Sequence, residues 1–389
     1  MARHIYVHIP FCERKCPYCD FYSVDKSTMD EALYNAYLDE IRIMADLMLE
    51  DHNPDMRDTV YIGGGTPSAV DAEFIFGIIT EIRERFHIRD NAEITIECNP
   101  NSLNVEKALA YADAGVNRVS LGVQSLTDGV LKVLGRLHDA DKALTAIETV
   151  RSAGIENISC DLITAVPGQT MENLLEDAGK LIDHGVDHIS TYALTIEEGT
   201  PFYGRYKDNI EDLVSPDLER EMYHSLRAFL RRKGIIPYEI SNNARTGSES
   251  IHNSSYWEGY EYFGIGPGAH GYLNSVRYCH NDDIASFRDL SYRDYRDFFE
   301  SKSSFDRLSV EEVLDFEAKM KEYPYLKLRT SSGIDLNYFK KRFGRDFQAV
   351  FADALKSNVS KGFLAIFENR VFLTSRGLDM ANQVFSDFI

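Results

Sequence analysis

Three cysteines, Cys12, Cys16 and Cys19, stand within eight positions in the segment PFCERKCPYCDFYS, spaced C-x3-C-x2-C. Thiolates this close can converge on one metal centre, and soft sulfur donors select zinc or an iron–sulfur cluster. A structural zinc site takes four protein ligands, and a Cys3His set could recruit His4 or His8. His8, however, stands in a strand-like run ahead of Pro10, and no fourth residue has finger-like spacing. Three thiolates can instead hold a four-iron cluster and leave one iron for a small chelating molecule. An iron left open in this way points to reactivity.

Two further groups of residues have the right types for a ligand site. GGGTP, Gly63 to Pro67, follows the apolar run TVYI, and glycines there let the backbone approach a ligand without a Cβ in the way. A plain turn would use the same residues, whereas a phosphate-binding P-loop is excluded because no Lys-Ser/Thr follows. Glu97, Gln124 and Asp161 each fall at or just past the end of an apolar run, where parallel α/β folds gather their active sites.

The elements that must position these residues are marked by a repeated phrase: DAGVNRVSLGV, SAGIENISCDL and DHGVDHISTYAL. Each follows a segment with helical apolar spacing, so Gly115, Gly154 and Gly185 are predicted to end helices in the left-handed region. Ser120, Ser159 and Ser190 come five residues later, inside β-branched runs that predict strands. Gly234 before IIPYEIS reads as a looser fourth copy. HIYVHI, TVYIGGG and AEITIEC add three earlier strands, separated by helical stretches around 28–50 and 72–86. About seven βα units of this kind predict a parallel sheet with right-handed crossovers. By alternation Cys98 and Cys160 should face the helix layer, away from Glu97 and Asp161.

The cysteine spacing, with Tyr18 before the last thiol, resembles the cluster loop of radical S-adenosylmethionine (SAM) proteins. YVHIPF, ITIECNP, GVQS and CDLI are similar to the oxygen-independent coproporphyrinogen III oxidase subfamily and its haem-chaperone branch. The resemblance covers most of the chain. It implies a partial (β/α) barrel, a [4Fe-4S] cluster on Cys12, Cys16 and Cys19, and cluster-bound SAM contacted by Tyr6, Gly64 and Glu97. Tyr18, Gly65, Thr66, Gln124, Arg136 and Asp161 match positions that hold a second SAM in the oxidase; one SAM is expected here, with the second left open. In such proteins the cofactor carries the hard chemistry.

The oxidase has a further cysteine two residues after the third, where this chain has Phe21, and a longer segment ahead of its cluster. Cys12 follows only eleven residues, so no amino-terminal lid is expected to shield a radical decarboxylation from water. HNSSYW at 252–257 resembles the H-N-x-x-Y-W motif of the haem chaperones, and GIGPGAHGY follows it. The resemblance makes haem the expected cargo, with His252 offering an imidazole to the iron and Tyr256 and Trp257 flat surfaces for the porphyrin. His270, His280 and Cys279 are rival ligands, and a packing role for His252 and Trp257 stays open. Haem delivery to acceptor haemoproteins, with a flavodoxin- or ferredoxin-like electron donor, is the leading expectation. A coproporphyrinogen oxidase and a zinc-stabilised scaffold are the alternatives.

Length and composition fit this reading. The chain has 389 residues, 44% hydrophobic and 27% charged, enough for two to three units with buried cores. Its formal charge of −20 repels polyanions, which disfavours nucleic acid and anionic lipid as partners. No apolar run approaches the ~20 residues that span a bilayer, so no transmembrane segment is expected. His8 and the charges that follow it interrupt a would-be signal peptide. Cytoplasmic location with reduced cysteines is therefore expected, with membrane contact only transient and through a partner. The predicted parts are a barrel over 1–245, a connecting segment over 246–293, and a smaller helical domain with a winged hairpin over 294–389. The last contains helical stretches at 310–322, 335–344 and 347–361 and a hairpin turning at Glu368 and Asn369. The basic runs 231–233 and 340–342 read as solvated helix faces.

Overall fold

Alternation of apolar and polar residues along each strand builds a sheet with one greasy and one polar face. The computed structural model describes residues 3–48, 56–209, 213–288, 291–304 and 307–389. Its main sheet has nine strands: β1 (His4–Ile9), β2 (Thr59–Gly64), β3 (Glu93–Cys98), β4 (Arg118–Gln124), β5 (Asn157–Thr164), β6 (His188–Ala193), β7 (Ile236–Pro237), β8 (Asn242–Ala244) and β9 (Phe263–Ile265). The spatial order is β9-β1-β2-β3-β4-β5-β6-β8-β7, an open arrangement whose two edge strands do not pair with each other. From β9 through β6 every neighbour is parallel, and β8 and β7 are added antiparallel.

Ile5, Val7, Ile62, Ile96, Cys98, Leu121, Cys160 and Leu162 point to the helix side and join one large core. Helices Glu31–Met48, Ala72–Arg85, Val105–Asp113, Ala140–Ser152 and Met171–Asp183 cover that face. The repeated phrase folds as the sequence predicts: Gly115, Gly154 and Gly185 have φ of 96°, 85° and 78°, each just past a helix end. The fourth copy differs. IIPYEIS yields only the two-residue edge strand β7, because Pro237 has no N–H to continue a ladder. The helix expected over 28–50 runs Glu31–Met48 within the described residues, and positions 49 and 50 lie outside them.

A second, antiparallel sheet follows: β10 (His270–Leu273), β11 (Val276–His280) and β12 (Leu308–Val313). Residues 310–313, expected to be helical, are therefore strand, and the helix begins only at Phe316 and runs to Leu328. Tyr295, Phe298, Phe299 and Leu308 pack in the first core, so the boundary expected at 294 moves to the start of that helix. The remaining chain builds its own core around Phe339, Phe343, Phe347 and Val384. The expected helix over 347–361 breaks at Phe351 into Phe347–Val350 and Ala352–Ser360. β13 (Ile334–Asp335), β14 (Leu364–Phe367) and β15 (Arg370–Leu373) form the wing, which turns at Glu368 and Asn369 with φ of 46° and 61°.

Candidate cluster and cofactor site

Parallel strands that share one polar face bring their carboxyl ends to one rim, and the cysteine loop leaves β1 at that rim. Pro10 and Phe11 run alongside Gly65, whose Cβ, were it another residue, would lie 2.9 Å from the Phe11 carbonyl oxygen. Gly65 N–H donates to the Ile9 carbonyl at 2.9 Å. The glycine run thus seats the cysteine loop against β2, and Thr66 Oγ1 comes within 3.5 Å of Cys12 Sγ. Cys12, Cys16 and Cys19 are all free thiols and half-buried. Cys19 N–H donates to the Cys16 carbonyl at 3.1 Å, which turns the loop back on itself.

Arg136 reaches this loop from the segment after β4. It donates to the Gly122 carbonyl at 2.7 Å and points a second nitrogen at Cys16 Sγ, 3.4 Å away, while its buried Nε has no partner. Tyr18 packs beside Phe202, and burial raises its hydroxyl pKa. A thiol trio under a buried guanidinium with a free donor is a donor set that fits an anionic iron–sulfur cluster and its chelating ligand.

Glu97, at the rim of β3, is the best-defined acid of the site. Its carboxylate accepts from Tyr61 Oη at 2.8 Å and from Gly64 N–H at 3.2 Å. Burial, opposed by the Tyr61 bond and reinforced by the nearby Asp161 charge, pushes Glu97 up to about 7. Gly64 has φ +112°, and a Cβ there would meet the His8 ring at 2.9 Å. Tyr6 Oη meets His8 Nδ1 at 2.9 Å, and burial lowers His8 to about 4, so this ring is neutral near pH 7.

Gln124 is held in a left-handed conformation, φ 68°, at the end of β4. Asp161, raised chiefly by burial, is bonded by Ser120 and Ser190, the first and third serines of the repeat. Ser159, the second, bonds His188 Nδ1 at 2.8 Å. Tyr6, Tyr18, Gly64, Gly65, Thr66, Glu97, Gln124, Arg136 and Asp161 therefore stand on the polar face or its rim. Tyr61, Ser120, Ser190 and Arg118, which is 2% exposed, complete that face and escape a reading by motif. Strand alternation is the signal that finds them: Tyr61 is two residues before Gly63, and Arg118, Ser120 and Gly122 share a side, while past the register slip after Leu121 the Gln124 amide folds back against Gly122.

The structure corrects the expectation for His252. It lies on helix Ile251–Trp257, at the opposite ends of the strands, and is 1% exposed. Nδ1 meets Thr59 Oγ1 and Nε2 meets Tyr256 Oη, both at 2.7 Å, so neither ring nitrogen is free for iron. Glu93, the first residue of β3, accepts from the N–H groups of Ile251 and His252 at 2.9 Å and so holds the helix start against the sheet. Trp257 lies under Arg329, the residue that follows helix Phe316–Leu328, 4.5 Å from guanidinium carbon to ring centroid. The motif closes the barrel floor and docks the carboxyl-terminal domain. Arg342 joins this contact through the Glu258 carbonyl at 3.0 Å, so the run 340–342 is not wholly solvated. His280 is also internal, against Glu40 at 2.9 Å.

A nine-stranded open sheet with a three-cysteine loop at its carboxyl rim defines a radical SAM protein, and residues 6–181 match the radical SAM superfamily. Residues 314–380 match the HemN C-terminal domain, which begins where the second core begins. The chain is 35% identical over 387 residues to the haem chaperone HemW of Bacillus subtilis (strain 168), covering 99% of this chain and 98% of that protein. It is 33% identical to the haem chaperone HemW of Lactococcus lactis subsp. lactis (strain IL1403) over 99% of this chain and 96% of that one. Among solved structures, coproporphyrinogen III oxidase (HemN) from Escherichia coli superposes with a TM-score of 0.81 at 21% identity, covering 100% of this chain and 90% of that one. The chain belongs to the HemW family of radical SAM proteins, on the HemN fold.

Proposed function

We propose that this chain is a haem carrier: it binds haem and passes it to acceptor haemoproteins, with a [4Fe-4S] cluster and SAM at the barrel rim. The observation that carries this reading is likeness over the whole length, both domains included, to proteins named haem chaperones. In this reading Cys12, Cys16 and Cys19 hold the cluster, and Tyr6, Gly64 and Glu97 meet the amino acid part of SAM. When bound, these groups supply one-electron chemistry at the open iron. The chain's own part is to position: Arg136 places positive charge beside Cys16, the two glycines keep β2 clear of side chains, and Glu97 offers a half-buried carboxylate. Thr66, Tyr18, Gln124 and Asp161 shape the remaining wall. A small acidic redox protein is the electron donor we propose, and the cytoplasm the location.

The oxidase reading would place a fourth thiol two residues after Cys19, but Phe21 stands there, 64% exposed. The test is anaerobic reconstitution with iron and sulfide, then haemin, then an apo-haemoprotein. A brown protein that shifts the Soret band and loses haem to the acceptor supports carriage. A colourless protein whose cluster cysteines hold zinc, shown by a zinc lost in Cys12→Ser, or decarboxylation of coproporphyrinogen without haem transfer, overturns it.

A further inference from the structure

Beyond the barrel rim, the small antiparallel sheet carries a second set of metal-ligating side chains. His270 on β10 and Cys279 on β11 are directly opposed, so their side chains share a face. Cys279 is opposed in turn by Ser309 on β12. Two residues beyond, the ladder slips: Tyr278 pairs with Val310 and Arg277 with Glu312, leaving Glu311 as the extra residue of a β-bulge. The bulge turns two successive glutamates to one side. Glu312 takes Arg277 at 2.9 Å, and Glu311 reaches His270, Oε2 to Nδ1 at 3.1 Å.

One nitrogen, one sulfur and one carboxylate oxygen thus lie within 4.8 Å of one another. Tetrahedral zinc, with Zn–S of about 2.3 Å and Zn–N and Zn–O of about 2.0–2.1 Å, places its ligand atoms roughly 3.3–3.6 Å apart, so side-chain adjustments of about 1 Å on this exposed face would close the set around an ion. A surface pair such as His270 and Glu311, 60% and 41% exposed, adds little to folding because water and salt screen it. Stability therefore does not account for a bulge that re-aims a carboxylate at an imidazole and a thiol.

We propose that His270, Cys279 and Glu311 form a binding site for a zinc-class divalent cation, separate from the cluster loop and independent of the haem reading. The chemistry selects the class: thiolate and imidazole are poor ligands for magnesium or calcium, which take oxygen, and suit a borderline-soft ion. Binding forms an S–Zn bond and releases the thiol proton to solvent, and thiolate plus carboxylate balance the ion's two charges. Three protein ligands on an exposed face leave the fourth position to water or to a group brought by another molecule.

The test uses the full chain with its cluster reconstituted, so that Cys12, Cys16 and Cys19 are occupied. Native alkylation with iodoacetamide, read at Cys279 by peptide mass spectrometry, is compared with and without one equivalent of zinc. Zinc should slow alkylation of Cys279 at least tenfold, and H270A and E311Q should each remove most of that protection. Elemental analysis should find one zinc fewer per chain in C279S than in wild type. An unchanged alkylation rate, or equal protection in H270A and E311Q, overturns the site. So does protection by haemin but not by zinc, which would make Cys279 or His270 a haem contact instead.

Discussion

Tyr61 and burial act on Glu97 in opposite directions, and the balance leaves its carboxyl near neutrality, at about 7. Below that pH the group is protonated and cannot pair with the ammonium of a bound amino acid moiety. Above it the carboxylate is charged, and a cationic ligand holds it so. Affinity for SAM should therefore rise about tenfold between pH 6 and pH 8, flattening in Glu97→Gln, as linkage for one proton requires. In Tyr61→Phe the lowering bond is gone, and the midpoint should move upward; isothermal titration across pH reads all three proteins. The thiols behave differently. Half-buried and without a disulfide, each of Cys12, Cys16 and Cys19 should accept serine at a folding cost under about 1 kcal/mol. Iron content and the visible absorbance of the reconstituted protein should fall sharply, while far-ultraviolet circular dichroism stays unchanged.

Helix Ile251–Trp257 shows what an element can add to a motif. Thr59, His252 and Tyr256 form one hydrogen-bonded chain inside the floor. His252→Ala would leave the half-buried Tyr256 hydroxyl without this partner, at about 1–3 kcal/mol, while Thr59 Oγ1 keeps His4 Nδ1 at 2.9 Å, and a lower melting temperature should follow. Haemin binding per folded molecule should stay at the wild-type level, and a lost Soret shift in a variant still folded at the assay temperature would restore His252 as a ligand. Much of the architecture was legible because it repeats: left-handed glycines and serines at fixed spacing mark helix ends and strands. The reading failed where tertiary packing decided. SVEEV in β12 has polar residues that read as a helix face, yet at a sheet edge the same residues look into solvent. HNSSYW was visible as a motif, but a motif does not say which end of the strands it occupies. The cluster loop was legible because three ligands sit in one short segment; Tyr61 and Arg118 were not, since each gains its role only from the register of the sheet.

At the scale of the whole molecule the formal charge of −20 sets the terms of encounter. An acidic electron donor approaches against a repulsive field, and salt shortens the reach of that field to about 8 Å at physiological ionic strength. Cluster reduction by such a donor should therefore speed up as salt rises from low values, the reverse of the usual steering effect; stopped-flow bleaching of the cluster measures it. No helix among the described residues is long and apolar enough to cross a membrane.

The floor has a consequence for how the protein is made. Glu93 holds the Ile251 and His252 amides from 158 and 159 positions earlier in the chain. A nascent polypeptide that has emerged only as far as β6 owns every strand of the parallel run but β9, and the entire sulfur loop, yet its polar face is uncovered at both ends of the strands. Synthesis itself therefore orders events: the rim exists before the bottom is stoppered, and water leaves Arg118 and His188 only once about two thirds of the message has been translated.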